Sequence, residues 1–190
     1  MKLRESGMPE ESYWETLLDV DLILDRLGVD ATLRNVVELG CGYGTFTVPV
    51  ARRIAGVIET VDIEPAMIDR TRERAQAAGL SNVVCALRDV TRDGFGGVPE
   101  SRDACLLFNI LHCEEPVRLL AEAARAVRPG GSVLVIHWRY DPGTPRGPAM
   151  DIRPRPQQIV AWAAHSRQLE LAGGILDLPP WHYGLRLRRQ

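Results

Sequence analysis

Val36-Val37-Glu38-Leu39-Gly40-Cys41-Gly42-Tyr43-Gly44 joins an apolar pair to an acid and then to three alternating glycines. The apolar start predicts a buried strand, residues 45–54 predict a helix, and the glycines fall in the turn between them. Glycine there lets backbone approach a ligand where a Cβ would collide. Spacing discriminates between ligands. Dinucleotide binders carry G-x-G-x-x-G/A, whereas here Thr45 stands five residues after Gly40 and Gly44 stands four after it. An acid inside the turn also suits a cationic ligand better than a pyrophosphate, which prefers bare amides at a helix N-terminus.

Outward from this turn, strand-like and helix-like segments alternate. Upstream, Ser12-x-x-Glu15 is a capping-box pattern, and Leu17, Leu18, Asp21, Leu24 and Leu27 follow with helical spacing until Gly28 stops the helix. Downstream, strands are expected at 57–62, 83–87, 104–109 and 132–138. One intervening helix opens at Pro65 and closes at Gly79, and another spans 116–128, ended by Pro129-Gly130-Gly131. Near-continuous apolar strands with helices between them mean a parallel sheet covered on both faces. Right-handed crossovers then gather the turns after each strand along one edge, where open α/β sheets bind ligands. After Trp138 the texture changes: residues 139–156 hold five prolines and two glycines and read as an irregular loop. A helix over 157–171 and two short strands, 175–178 and 183–187, complete the chain.

Length and composition bound the class. At 190 residues and 45% apolar, the chain can bury one core and is too short for two ordinary domains. Net charge is −2, which gives the whole molecule no strong pull on nucleic acid or membranes. Residues 139–190 hold eight arginines against four acids, so they carry +4 and the remainder −6. There is no basic-then-apolar start and no apolar run near ~18 residues, so a cytoplasmic protein is expected. Cys41, Cys85, Cys105 and Cys113 form no C-x-x-C pair, and buried reduced thiols are expected rather than a disulfide frame or a metal site.

Three strand ends carry further candidates. Asp62, in Glu59-Thr60-Val61-Asp62-Ile63-Glu64-Pro65, lies about twenty residues past the glycine turn, where an acid accepts hydrogen bonds from ribose hydroxyls. Equally, Asp62 or Glu64 caps the helix at Pro65. Leu87-Arg88-Asp89-Val90 puts a second acid at the third strand's end, which is also ordinary turn chemistry. Asp103-Ala104-Cys105-Leu106-Leu107-Phe108-Asn109 ends the fourth strand, and Ile110-Leu111-His112 follows.

Together these segments, over residues 36–138, resemble the class I S-adenosylmethionine-dependent methyltransferases. The Phe-Asn-Ile-Leu-His form and the small size resemble the type 11 branch with the ubiquinone/menaquinone C-methyltransferases. The resemblance implies one doubly wound, Rossmann-like domain over 1–190: a mostly parallel seven-stranded sheet with an antiparallel C-terminal strand and helices on both faces. It divides into an N-terminal helical cap (1–28), a cofactor-binding core (36–138), a substrate-side loop (139–156) and a C-terminal helix and hairpin (157–190). It implies S-adenosylmethionine as cofactor, held by Glu38, Gly40, Cys41, Gly42, Tyr43, Gly44, Asp62, Ile63, Glu64, Asp89, Val90 and Asn109. Glu38 would serve the amino group of the methionine arm, Asp62 the ribose, and Asp89 and Val90 the adenine. Tyr43, or Tyr13 and Trp14, would offer a π face to the sulfonium, although Tyr13 and Trp14 serve equally as core anchors.

Asn109, His112 and His137 are the catalytic candidates, with the plain alternative that each histidine is held by a local hydrogen bond or cap. Arg139, Tyr140, Asp141, Arg146, Asp151, Arg153 and Arg155 suggest a lid for an anionic small-molecule acceptor, against a solvated loop in an arginine-rich chain. The expected activity is methyl transfer to a small molecule, by a monomer or homodimer, without nucleic acid or membrane. The alternatives are an RNA or protein methyltransferase docking through the basic C-terminal third, and a methyltransferase-like binding subunit without activity. The absence of Asn-Pro-Pro-Tyr and Pro-Cys motifs argues against amino-methylating DNA, protein-glutamine and cytosine C5 enzymes.

Overall fold

A computed structural model describes residues 8–190; residues 1–7 of the expected N-terminal cap lie outside the described residues. The single helix expected before Gly28 is two, α1 (Glu11–Thr16) and α2 (Val20–Leu27). Leu17 and Leu18 drop into the core at the break, and the Asp19 side chain accepts from Leu22 N at 3.1 Å to cap α2. The Ser12-x-x-Glu15 box does not form: Glu10 holds the N-cap without a side-chain bond, and Glu15 instead pairs with Arg74 at 2.7 Å.

Then follow β1 (Asn35–Leu39), α3 (Thr47–Arg53), β2 (Val57–Asp62), α4 (Pro65–Ala77), β3 (Val83–Leu87) and α5 (Val90–Asp93). Next come β4 (Arg102–Phe108), α6 (Pro116–Ala126), β5 (Val127–Trp138), α7 (Pro156–His165), β6 (Leu169–Leu171), β7 (Leu176–Leu178) and β8 (His182–Arg189). The sheet order is β3-β2-β1-β4-β5-β8-β6, with β7 also on β8. Strands β1 to β5 are parallel, and β8 runs antiparallel to β5. The sheet therefore has eight strands among the described residues, against seven expected. The extra one, β6, falls where the sequence predicts the tail of helix 157–171. Arg167 at φ +53° breaks that helix, and Leu169–Leu171 pairs with Leu187–Arg189 instead. β5 also starts earlier than expected, running through Pro129-Gly130-Gly131 with a register slip on β4 between Arg102 and Ala104.

Neighbouring valines of β1 face opposite layers, as period-two alternation requires. Val37 lies in the layer that holds Leu120 of α6 and Ile159 of α7. Val36 lies in the opposite layer, with Leu24 of α2 and Val50 of α3. No described helix is long and apolar enough to cross a membrane. The chain runs outward from β1 to β3 on one side and returns through β4 on the other. This opens a crevice at the carboxyl ends of β1 and β4, the topological switch point.

Candidate active site

The glycine turn sits at that switch point. Gly40, Gly42 and Gly44 have φ of +80°, +52° and +76°, a region L side chains adopt at a cost. A Cβ on Gly40 would stand 3.0 Å from Ile110 Cδ1, and one on Gly44 3.4 Å from the Thr71 Cα. The turn is also pinned. Gly40 N donates to Val61 O at 2.8 Å, Thr71 Oγ1 to Gly42 O at 3.1 Å, and Arg74 Nη1 to Tyr43 O at 3.2 Å. The Tyr43 hydroxyl donates to Pro9 O at 2.7 Å and ties down the segment before α1. Tyr13 is exposed, whereas Trp14 meets Trp138 edge-on at 6.2 Å.

Asp62 ends β2 and is buried. Its Oδ2 accepts from Gly42 N at 3.3 Å and from Cys41 Sγ at 3.6 Å, and its Oδ1 accepts from Glu64 N at 3.0 Å. Glu64 holds the N-cap of α4 without a side-chain cap bond. Asp89 accepts from Thr91 N at 3.0 Å and Thr91 Oγ1 at 2.6 Å, capping α5. Beside the turn lies an open crevice, walled by Leu39, Ile63, Val90 and Ile110 and reached by Asp62 and Asp89. Glu38 is not part of that lining. It is 2% exposed beneath the turn, and Thr47 Oγ1 donates to its Oε2. Burial pushes its carboxyl up to about 7, because the charged form loses hydration there.

The catalytic candidates fall into two pairs, Asn109 with His182, a group the sequence reading missed, and His112 with His137. Asn109 follows β4 at φ +56°, and its N–H donates to Ile136 O at 2.9 Å. Its side-chain Nδ2 stands 3.4 Å from Nε2 of His182, the first residue of β8, while its Oδ1 is buried without a hydrogen-bond partner among the described residues. His112 Nδ1 stands 3.4 Å from His137 Nε2, ring edge against ring face. The N-cap of α6 is Glu115, three residues after His112. Burial, helped by neighbouring His112, holds His137 well below the ordinary imidazole range. Burial and the nearby Arg139 charge hold His182 down at about 3. The Trp138–His182 pairing of β5 with β8 is what brings His182 here. Nothing local in Trp181-His182-Tyr183 signals it.

The loop 139–156 is organised inward. Arg153 is 7% exposed and donates to Pro148 O, Arg139 O, Asp141 O, Arg146 O and Thr144 Oγ1. Arg139 pairs with Asp177, and the Arg155 guanidinium lies 3.7 Å from the centre of the Tyr140 ring. Those arginines are engaged with the protein itself.

The chain belongs to the S-adenosylmethionine-dependent methyltransferases: the methyltransferase domain family is matched over residues 36–131. It is 40% identical over 70 residues to the 23S rRNA (uracil(1939)-C(5))-methyltransferase RlmD of Xylella fastidiosa strain Temecula1, covering 37% of this chain and 15% of that one. The chain thus spans a small part of that relative's length. A solved S-adenosylmethionine-dependent methyltransferase from Aquifex aeolicus superposes with TM-score 0.82 at 17% identity, covering 95% of this chain and 94% of that one. Magnesium protoporphyrin IX methyltransferase from Synechocystis PCC 6803, with bound S-adenosylhomocysteine, superposes with TM-score 0.71 at 17% identity, covering 97% and 89%. These two likenesses carry the fold. The residues present fit an adenosyl ligand: a glycine turn at the crevice mouth, apolar walls for a purine, and two carboxylates for its polar edges.

Proposed function

We propose that this chain transfers the methyl group of S-adenosylmethionine to a small-molecule acceptor by in-line displacement. The observation that carries the reading is the Gly42–Asp62 contact, which fixes a bare-backbone turn and a carboxylate against one apolar crevice. Asp62 accepts from two backbone amides and from the weak Cys41 S–H donor, and a carboxylate has about four sites, so one ribose hydroxyl remains within its capacity and a second can displace the thiol. Asp89 and Val90 hold the adenine, and Ile110 closes the wall between crevice and Gly40. The bound cofactor supplies a sulfonium methyl that needs no covalent activation. The chain's own share is alignment and exclusion of water, done by Asn109, the buried histidines and the loop stapled by Arg153.

A small acceptor is favoured because at least half of the arginines in the basic C-terminal third are turned onto the protein itself. Of its eight arginines, Arg139, Arg153, Arg155 and Arg189 are engaged within the protein. The identity to RlmD supports a second reading, an RNA acceptor. Calorimetric titration with S-adenosylhomocysteine should show binding, and titration with NAD none; the reverse pair of results would overturn the methyltransferase reading. Tight, salt-dependent binding of a 23S rRNA hairpin would move the acceptor from small molecule to RNA.

A further inference from the structure

Asn109 is the least ordinary residue at the mouth of β4. It holds a left-handed backbone, which Asn tolerates better than most residues but which still carries strain. Its side chain is split between two fates. Nδ2 is donor-only, so its 3.4 Å contact with His182 Nε2 requires a bare lone pair there and places the His182 proton on Nδ1. His182 is suited to that part: it is 1% exposed, and burial beside Arg139 keeps it neutral. The ring is packed as well, tilted at 41° with its centre 4.3 Å from that of Trp138, which in turn meets Trp14. With Nδ2 committed to the imidazole, Oδ1 is left buried and unpartnered among the described residues. A buried carbonyl oxygen without a donor is costly, and native proteins leave one mainly where a ligand or water completes it. The next residue, Ile110, walls the adenosyl crevice and abuts Gly40, so Asn109 stands at the strand end beside that crevice, one residue from its wall.

We propose that His182 is a positioning residue: it takes Nδ2 of Asn109 and so presents Oδ1 to the methyl acceptor, which offers an N–H or O–H in return. This rests on the methyltransferase reading and narrows its substrate class. An amine, amide, alcohol or phenol carries the required proton. A carboxylate or a carbanion does not. Transfer then forms an N–C or O–C bond as the C–S bond of S-adenosylmethionine breaks, the electron pair stays on sulfur, and the acceptor's proton is lost to water. Asn109 contributes orientation of the reactive lone pair rather than basicity, since an amide oxygen is too weak a base to take the proton.

The test uses the full chain, ¹⁵N-labelled and saturated with S-adenosylhomocysteine. Long-range ¹H–¹⁵N spectra should show His182 protonated at Nδ1 and bare at Nε2. Protonation at Nε2 would overturn the proposal, because Asn109 would then have to turn its carbonyl to the imidazole. In His182→Leu, exchange protection of the Asn109 side-chain amide should fall by about tenfold, the loss of one hydrogen bond. It should return in His182→Gln, whose Oε1 accepts as the imidazole did; no return would also count against it. Phenol and imidazole, added to the complex, should shift the Asn109 side-chain resonance while benzoate leaves it in place. Equal shifts with all three, or none with the two donors, would overturn the assignment of Oδ1. Failure to bind S-adenosylhomocysteine at all would sink the methyltransferase reading. Binding with the wrong tautomer sinks this inference alone.

Discussion

Gly42, in the turn after β1, and Asp62, the last residue of β2, are joined by a backbone N–H to carboxylate contact of 3.3 Å. The acid at the end of β2 thereby holds the glycine turn after β1 in place, while its other oxygen accepts from Glu64 N at the start of α4. The two sequence readings of Asp62, helix-start acid and ligand acid, are therefore compatible. One carboxylate has capacity for both.

That double duty sets the first prediction. Asp62→Ala should weaken S-adenosylhomocysteine binding by about 1–3 kcal/mol and lower stability as well, since Gly42 N and Glu64 N lose their acceptor. Asp62→Asn keeps one oxygen and should retain much of the stability while losing affinity. Calorimetry and urea unfolding on both variants separate the two effects. Equal affinity in wild type and Asp62→Ala would move the ribose role elsewhere.

Gly44 and Gly79 offer a matched pair for the turn. Both have positive φ, +76° and +68°, but a Cβ on Gly44 would meet Thr71 at 3.2–3.4 Å, including its Cα, whereas Gly79 faces nothing within 4 Å. Gly79→Ala should cost about 1 kcal/mol from backbone strain alone. Gly44→Ala should cost roughly 1–2 kcal/mol more, because Thr71 cannot withdraw without moving α4. Urea unfolding of the two single variants decides it, and similar losses would mean the turn is softer than its contacts imply.

The parallel half of the fold was legible in the sequence because its signals are local. Apolar runs ending in Glu38, Asp62, Asp89 and Asn109 marked β1 to β4 and the edge on which the site lies. The misses were governed by partners distant in the chain. Leu169–Leu171 alternates for three residues only, too short for a period, and becomes a strand because β8 offers it an edge. Ser12 and Glu15 match a capping box locally, yet Arg74 on α4 draws Glu15 away. His182 acquires meaning only from its register opposite Trp138. The arginines of 139–156 leave lid and plain loop both open in the sequence, because nothing in it shows that Arg153 folds back on five groups of its own loop.

Arg153 should accordingly behave as a structural staple. Its guanidinium is buried among carbonyls with no carboxylate bonded to it among the described residues, and only its planar fork reaches so many acceptors at once. Arg153→Lys should cost about 2–3 kcal/mol, since one ammonium cannot serve the same set and remains buried. Limited trypsin digestion should then cut between residues 139 and 156 in the variant and spare the wild type. An uncut, equally stable variant would show that the prolines alone order the loop.

Buried titratable groups oppose one another in the pH dependence of stability. Glu38 is raised from 4.5 to about 7 by burial, so between those values the folded state holds a proton that the unfolded chain has released. Its contribution makes stability fall as pH rises through that window. His137 and His182 are both lowered from 6.5, His182 to about 3, so below 6.5 the unfolded chain takes up two protons that the folded state refuses. Their contribution makes stability rise with pH up to 6.5 and then level off. Between 4.5 and 6.5 the two histidines outweigh the one glutamate, leaving a net rise of about 1.4 kcal/mol per pH unit at most from these groups. Glu38→Gln removes the opposing contribution. Below about pH 6.5 its stability should climb about twice as steeply as that of the wild type, and above about pH 7 it should be more stable by up to roughly 3 kcal/mol. Urea unfolding from about pH 5 to about pH 8, the span that brackets these shifts, measures both slopes. Parallel curves for the two proteins would mean that Glu38 ionises as freely in the fold as in the open chain.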